Sequence, residues 1–213
     1  MNLTLLGCFD FIGTIAFAIS GAFVGVHKKM DIFGVNVLAI TTACGGGLIR
    51  DLIVGHIPPR MFVNPFYVCI AAFLANVVFL SLYFHQHMPR KITPFYDEML
   101  FWFDTLGLAA FTVDGVIIGA DAGHGNNIFL LVFLGFMTGV GGGALRDVLA
   151  DQTPDIFIKN IYALASIAGG ISMVILYRIT GSKNGCMIGS FAVIITLRYL
   201  ARKYDWNLPR ITD

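Results

Sequence analysis

The stretch Gly45-Gly46-Gly47-Leu48-Ile49-Arg50-Asp51 decides how the chain is read, together with its echo Gly141-Gly142-Gly143-Ala144-Leu145-Arg146-Asp147. Each closes a long apolar run. Glycine gains least from helical order, so three in a row invite an apolar helix to unwind or kink. An arginine and an aspartate follow and bring both charge signs into the apolar segment. Two interrupted, charged helices in one apolar chain point to a transport pathway.

Composition sets the class. The chain has 213 residues, 57% apolar and 13% charged, with a mean hydropathy of +0.78. Soluble domains carry about 25% charged residues. Half that value, with repeated apolar runs of bilayer-spanning length, defines a polytopic membrane protein. The net charge of +1 and the lack of a basic stripe give no sign of a nucleic-acid partner. Cys8, Cys44, Cys69 and Cys186 lie singly in apolar segments and read as small buried hydrophobes. No His/Cys cluster has metal-ligand spacing, no nucleophile sits with a base, and no phosphate loop carries its lysine. The expectation is a non-enzyme with no cofactor and no structural metal. The N-terminus lacks a basic n-region and a cleavage site and reads as the start of the first span.

The fold class expected is all-α, with seven transmembrane helices in one domain over residues 1–213. The spans run over about 5–26, 32–54 (through the first triple glycine, closed by Pro58-Pro59), 65–84, 99–119, 128–150 (through the second, closed by Pro154), 158–177 and 186–200. Asp10, Gly13, Phe17 and Gly21 match Asp104, Gly107, Phe111 and Gly115 at an offset of 94. Gly45–Gly47, Arg50, Asp51 and Pro58 match Gly141–Gly143, Arg146, Asp147 and Pro154 at an offset of 96. The chain thus divides into repeat 1 (about 5–90), repeat 2 (about 97–180) and an unmatched seventh helix. Three helices per unit is odd, so the second unit enters the membrane from the opposite side and the repeats are inverted.

Lys and Arg set the orientation. Lys28, Lys29, Arg90, Lys91, Arg146, Lys159, Arg198, Arg202, Lys203 and Arg210 fall on the side of the C-terminus; Arg50, Arg60, Arg178 and Lys183 fall on the other. The N-terminus is expected outside and the C-terminus in the cytoplasm. Lys28 and Lys29 stand at the cytoplasmic rim, as positive-inside anchors or as contacts to anionic lipid headgroups.

The doubled Gly-Gly-Gly-x-x-Arg-Asp, with Lys29-Met30-Asp31-x-x-Gly34 before the second span, resembles the prokaryotic branch of the trimeric intracellular cation channel (TRIC) family, and the resemblance covers essentially the whole chain. It implies a homotrimer in a prokaryotic inner membrane, with one pore inside each protomer lined by kinked spans 2 and 5. It also implies passage of monovalent cations, chiefly potassium. Bacterial relatives of this type are also labelled glycine transporters, so a carrier for glycine or a similar small zwitterion is the alternative.

The residues allow several chemistries at the glycine stretches. An unwound helix leaves carbonyls suited to K+ or Na+ on one side of the break and N–H groups suited to anions on the other. Alternatively, the glycines permit close helix crossing. Arg50 and Arg146 repel potassium at close range, so they are paired with Asp51, Asp147, Asp10 or Asp104, or latch the pore shut, or clamp a substrate carboxylate. Helix-end charges reaching the headgroups are the plainer reading. Asp10 and Asp104 read as helix-start carboxylates, a capping role. Asp114 lies deeper, at the position matching Ser20, and is the lumen candidate. Thr42 and Thr138, with Thr41, offer hydroxyls to an ion or bond back to their own helices. Asn76 is expected to bond a neighbouring helix, and His85, His87 and His124 to be solvated in links. Loss of Arg50 or Arg146 is expected to alter flux without loss of assembly. A purely structural scaffold is the third class, in which alanine at the glycines changes no flux.

Overall fold

The computed structural model describes residues 4–84, 93–158 and 161–206, the side chains of 93–95 aside. Among these residues the secondary structure is all helical: α1 (Leu5–His27), α2 (Ile32–Val54), α3 (Arg60–Val63), α4 (Phe66–Phe84), α5 (Thr93–Gly119), α6 (Ile128–Leu149), α7 (Asp155–Ile158), α8 (Tyr162–Thr180) and α9 (Lys183–Lys203). A π-helical turn, Ala120–His124, extends α5. Seven of these helices are long and apolar enough to cross a bilayer. The single-turn helices α3 and α7 follow the two Arg-Asp segments.

Short polar side chains start the spans. Thr4 accepts from the Gly7 N–H at the head of α1, and Asp31 from the Gly34 N–H at the head of α2. Asn127 caps α6 through the Leu130 N–H, and Ser182 caps α9 through the Gly185 N–H. Each satisfies a backbone donor that has no partner within its helix. Asp10 and Asp104 do not cap. Asp10 lies beyond the first turn of α1, which Thr4 already caps, and Asp104 lies deep within α5.

Some boundaries differ from expectation. The fourth span begins at Thr93 rather than near Met99, and the seventh runs Lys183–Lys203. The sixth span, expected from about 158, is α8 and begins at Tyr162, after the single-turn α7. His85, His87, Arg90, Lys91, Lys159 and Arg210 lie outside the described residues. His124 is exposed, as a link residue.

α1, α2, α5 and α6 form the centre. α4 packs on α1 and α2, while α8 packs on α6, α5 and α9. Lys28 Nζ donates to the Asp151 carbonyl at 3.4 Å, which places the first and fifth links at one end. Lys183 Nζ donates to the Asp121 carboxylate at 2.8 and 2.9 Å, which places the fourth and sixth links together. Asn76 of α4 and Asn36 of α2 exchange amide hydrogen bonds of 3.0 and 3.3 Å across their helices. The cysteines are all free thiols, and Cys44 and Cys186 are buried; Cys69, however, is exposed on the outer face of α4.

The triple glycines do not unwind their helices. α2 and α6 run as α-helix through Gly45–Gly47 and Gly141–Gly143, so no carbonyls or N–H groups are freed there. The reason is tertiary. α2 and α6 cross backbone on backbone at this level. A Cβ added at Gly46 would strike the Thr138 carbonyl oxygen, and one added at Gly142 would strike the Thr42 carbonyl oxygen. Glycine serves close approach, and packing across the crossing holds both helices regular.

Candidate functional site

The Arg-Asp pairs build two clusters, one on each side of the glycine crossing. In the first, Arg50 is 6% exposed and Asp51 2%. Arg50 Nε and Nη2 donate to Asp51 Oδ1 at 2.9 and 2.8 Å, and Nη1 donates to Asp114 Oδ2 of α5. The second oxygen of Asp51 accepts the Arg60 N–H at 2.9 Å, which ties α3 back onto α2. Asp10 of α1 completes the group, with its carboxyl within hydrogen-bonding reach of Asp114.

The second cluster repeats the plan. Arg146, 1% exposed, donates from Nε and Nη2 to Asp147 Oδ1, both at 2.8 Å. Its Nη1 donates to Asp104 Oδ1 at 2.6 Å and to Ser20 Oγ. Ser20 donates onward to Asp104 at 2.6 Å. Asp147 Oδ2 accepts the Asp155 N–H at 3.0 Å and so holds α7, and Oδ1 accepts from Gln152 at 2.9 Å. Each aspartate therefore does two things at once: it pairs its arginine and fixes the turn that follows.

That double duty yields a testable expectation. Asp51→Asn keeps the shape but removes the charge facing Arg50, and one amide group replaces an acceptor oxygen. The loss expected is about 1–3 kcal/mol, read as earlier thermal unfolding in detergent. Unchanged stability would mean that the Arg50–Asp51 bonds contribute nothing net.

The structure brings most of the sequence-selected residues together. Gly45, Gly46, Gly141, Gly142 and Gly143 are buried at the crossing, and Gly47 lies at its edge. Thr42 and Thr138 are buried beside it, and each hydroxyl donates to its own helix, at 2.6 Å to the Leu38 and Leu134 carbonyls. Ser20 and Asp114, at matching positions, are both fully buried and sit in opposite clusters. Lys28 and Lys29 are apart from both clusters, exposed at the bundle end.

Reciprocal contacts run through the whole centre. The rings of Phe17 and Phe111 approach to 5.4 Å between the clusters. Phe17 fills the space over Gly107, and Phe111 the space over Gly13. A cavity of about 620 Å³ opens on the Arg50 side of this plug, lined among others by Asp10, Thr14, Gly47, Arg50, Asp51 and Phe111. At the crossing, where a pore lined by spans 2 and 5 is expected from the sequence, the backbones of α2 and α6 are in contact.

Sequence reasoning missed the outer wall of the second cluster. Arg198 of α9, counted as a rim charge, is 4% exposed. Its guanidinium lies 4.6 Å from the Tyr162 ring centre and 4.9 Å from that of Phe101. Only the packing of α9 onto α5 and α8 reveals this. The Phe17–Phe111 plug was visible as two repeat positions, though its contact was not.

A bundle of seven helices long and apolar enough to span a bilayer defines an integral membrane protein. The family model described as "Glycine transporter" matches residues 8–83 and 101–178. A solved TRIC cation channel is 34% identical, covers 99% of this chain and 98% of its own, and superposes with a TM-score of 0.81. The TRIC orthologue from Rhodobacter sphaeroides is 30% identical over 95% of this chain and all of its own, with a TM-score of 0.84. A UPF0126 membrane protein of Deinococcus radiodurans is 34% identical over 94% of this chain and 89% of its own length. The UPF0126 inner membrane protein YadS of Escherichia coli is 34% identical over 94% and 93%. The chain belongs to the prokaryotic TRIC family, which overlaps the family described as glycine transporters.

Proposed function

We propose that the protein is a cation channel that passes potassium and other monovalent cations, with a pore inside each protomer between α2 and α6. The carrying observation is the pair of neutralised arginine clusters on either side of the glycine crossing, in a chain similar along nearly its full length to solved TRIC cation channels. A bare arginine would repel a cation; one held by carboxylates does not. In this reading the conformation described is closed, and Arg50 and Arg146 are latches. Opening separates α2 from α6 at Gly45–Gly47 and Gly141–Gly143, where small residues let the helices bend and slide. Thr42 and Thr138, with Asp114 and Ser20, then line the path, and K+ or Na+ passes near the bent glycines with weak, multi-site coordination.

Further proposals complete the picture. The protein assembles as a homotrimer in a prokaryotic inner membrane, with the N-terminus outside and the C-terminus cytoplasmic. The halves, about 5–90 and 97–180, are inverted repeats, a reading supported by the reciprocal contacts of Arg50 and Arg146. Lys28 and Lys29 meet lipid headgroups.

A carrier for glycine or a similar zwitterion is the second reading, favoured by the family description and by a cavity that presents Arg50 and Asp10 together. Purified protein in sealed liposomes separates the two. Potassium efflux down a gradient, without saturable uptake of labelled glycine, is the expected result. Saturable glycine uptake with counter-flow and little potassium efflux would replace the channel with the carrier.

A further inference from the structure

The two clusters are built alike but not charged alike. In the second, Asp104 and Asp147 face Arg146, with Arg198 in electrostatic range of Asp104. At the positions that the repeat matches, two carboxylates there surround one arginine. In the first, Asp10, Asp51 and Asp114 face Arg50 and Arg60. At the matched positions three carboxylates surround one arginine, and Arg60, which the repeat does not match, is exposed to solvent, which screens its contribution. The difference comes from one repeat position, where Ser20 of the second cluster corresponds to Asp114 of the first.

The excess falls on a particular contact. Asp114 is fully buried, with Oδ2 taken by Arg50. Its Oδ1 is buried and accepts from no donor among the described residues. The Asp10 carboxyl lies within hydrogen-bonding reach of the Asp114 carboxyl. Two ionised carboxylates at that separation repel strongly when one of them is fully buried; one proton between them removes the repulsion and supplies the missing donor. Asp10 also lines the 620 Å³ cavity, so a proton has a wet route to the pair.

We propose that Asp10 and Asp114 form a proton-binding site, in which the O–H of one carboxylic acid donates to an oxygen of the other at neutral pH. The bound proton removes the one carboxylate charge by which the first cluster exceeds the second, where Ser20 stands at the matching position. The groups facing the pair are Arg50 and Asp51 on α2, Arg60 on α3, His56 in the link before it and Tyr67 on α4.

Infrared spectroscopy of the full chain in lipid tests this directly. At neutral pH the parent protein is expected to show a carboxylic acid C=O band that shifts in D2O and disappears as pH is raised. The same band is expected to be lost in Asp114→Asn and in Asp114→Ser, which recreates the second cluster's arrangement, and kept in Asp104→Asn. Absence of a protonated-carboxyl band in the parent at neutral pH overturns the proposal without any variant having to fold. A band that survives in folded Asp114→Asn overturns it equally. Potassium efflux measured in parallel keeps this proposal apart from the channel reading: the band without efflux sustains the proton site and removes the channel, and efflux without the band does the reverse.

Discussion

Arg146→Ala is expected to destabilise the protein by about 3–5 kcal/mol, the usual cost of removing one partner from a buried ion pair. The side chain is 1% exposed and bonds Asp147, Asp104 and Ser20 at once. Its loss leaves two carboxylates in a closed site. Arg50→Ala is expected to fall at the lower end of the same range, about 3 kcal/mol: it strips the fully buried Asp114 of its partner, while the cavity beside Arg50 lets water reach Asp10 and Asp51. Thermal unfolding in detergent, followed by size exclusion after heating, measures both. The sequence alone led to the same expectation for both arginines, altered flux with assembly intact. Burial separates them: Arg50 is the position at which flux is to be examined in an assembled protein, and Arg146 the one at which assembly fails first. Equal stability of Arg146→Ala and the parent would mean that the cluster is not the anchor described here.

Gly46→Ala and Gly142→Ala are expected to be the most damaging substitutions within the glycine stretches. The new methyl group at Gly46 would also lie 3.0 Å from the Thr138 carbonyl carbon, and that at Gly142 3.1 Å from the Thr42 carbonyl carbon. Backbone does not yield as a side chain does, so α2 and α6 must part, at about 1–3 kcal/mol for each substitution. The third glycine of each run behaves differently. At Gly47 the nearest atom is Arg50 Nη2 at 3.4 Å, and at Gly143 it is the Tyr162 hydroxyl at 3.5 Å. Alanine fits there and favours the helix, so Gly47→Ala and Gly143→Ala are expected to be neutral or stabilising by up to about 1 kcal/mol. Melting temperatures of the four variants decide the matter. If the middle and third glycines respond equally, the crossing is not what these glycines serve. Flux in the middle-glycine variants adds the functional half: a scaffold predicts no change, a pathway at the crossing a large one.

Local signals carried much of the fold. Apolar run lengths placed all seven spans, because the bilayer demands that length of any helix crossing it. Thr4, Asp31, Asn127 and Ser182 start helices through bonds contained within one turn, a local signal that the reading of Asp10 and Asp104 as caps overlooked. The doubled offset exposed the repeat, and the repeat singled out Arg50 and Arg146 as a pair. The single-turn α7 was not legible, because the bond that holds it comes from outside the segment: the Asp155 N–H donates to Asp147.

The sequence by itself determined that this is a seven-span membrane protein with two glycine-arginine-aspartate segments, since length, hydropathy and repetition are properties of the chain taken one segment at a time. Only the tertiary structure decided what those segments do. It kept the triple glycines helical, because the facing backbone fills the space into which they would otherwise unwind. It gave Arg50 to Asp114 and Arg146 to Asp104, and it drew Arg198 inward from the rim. It placed Asp10 against Asp114, residues far apart in sequence on neighbouring helices. Pairing and burial depend on which helices touch, and no single segment carries that information.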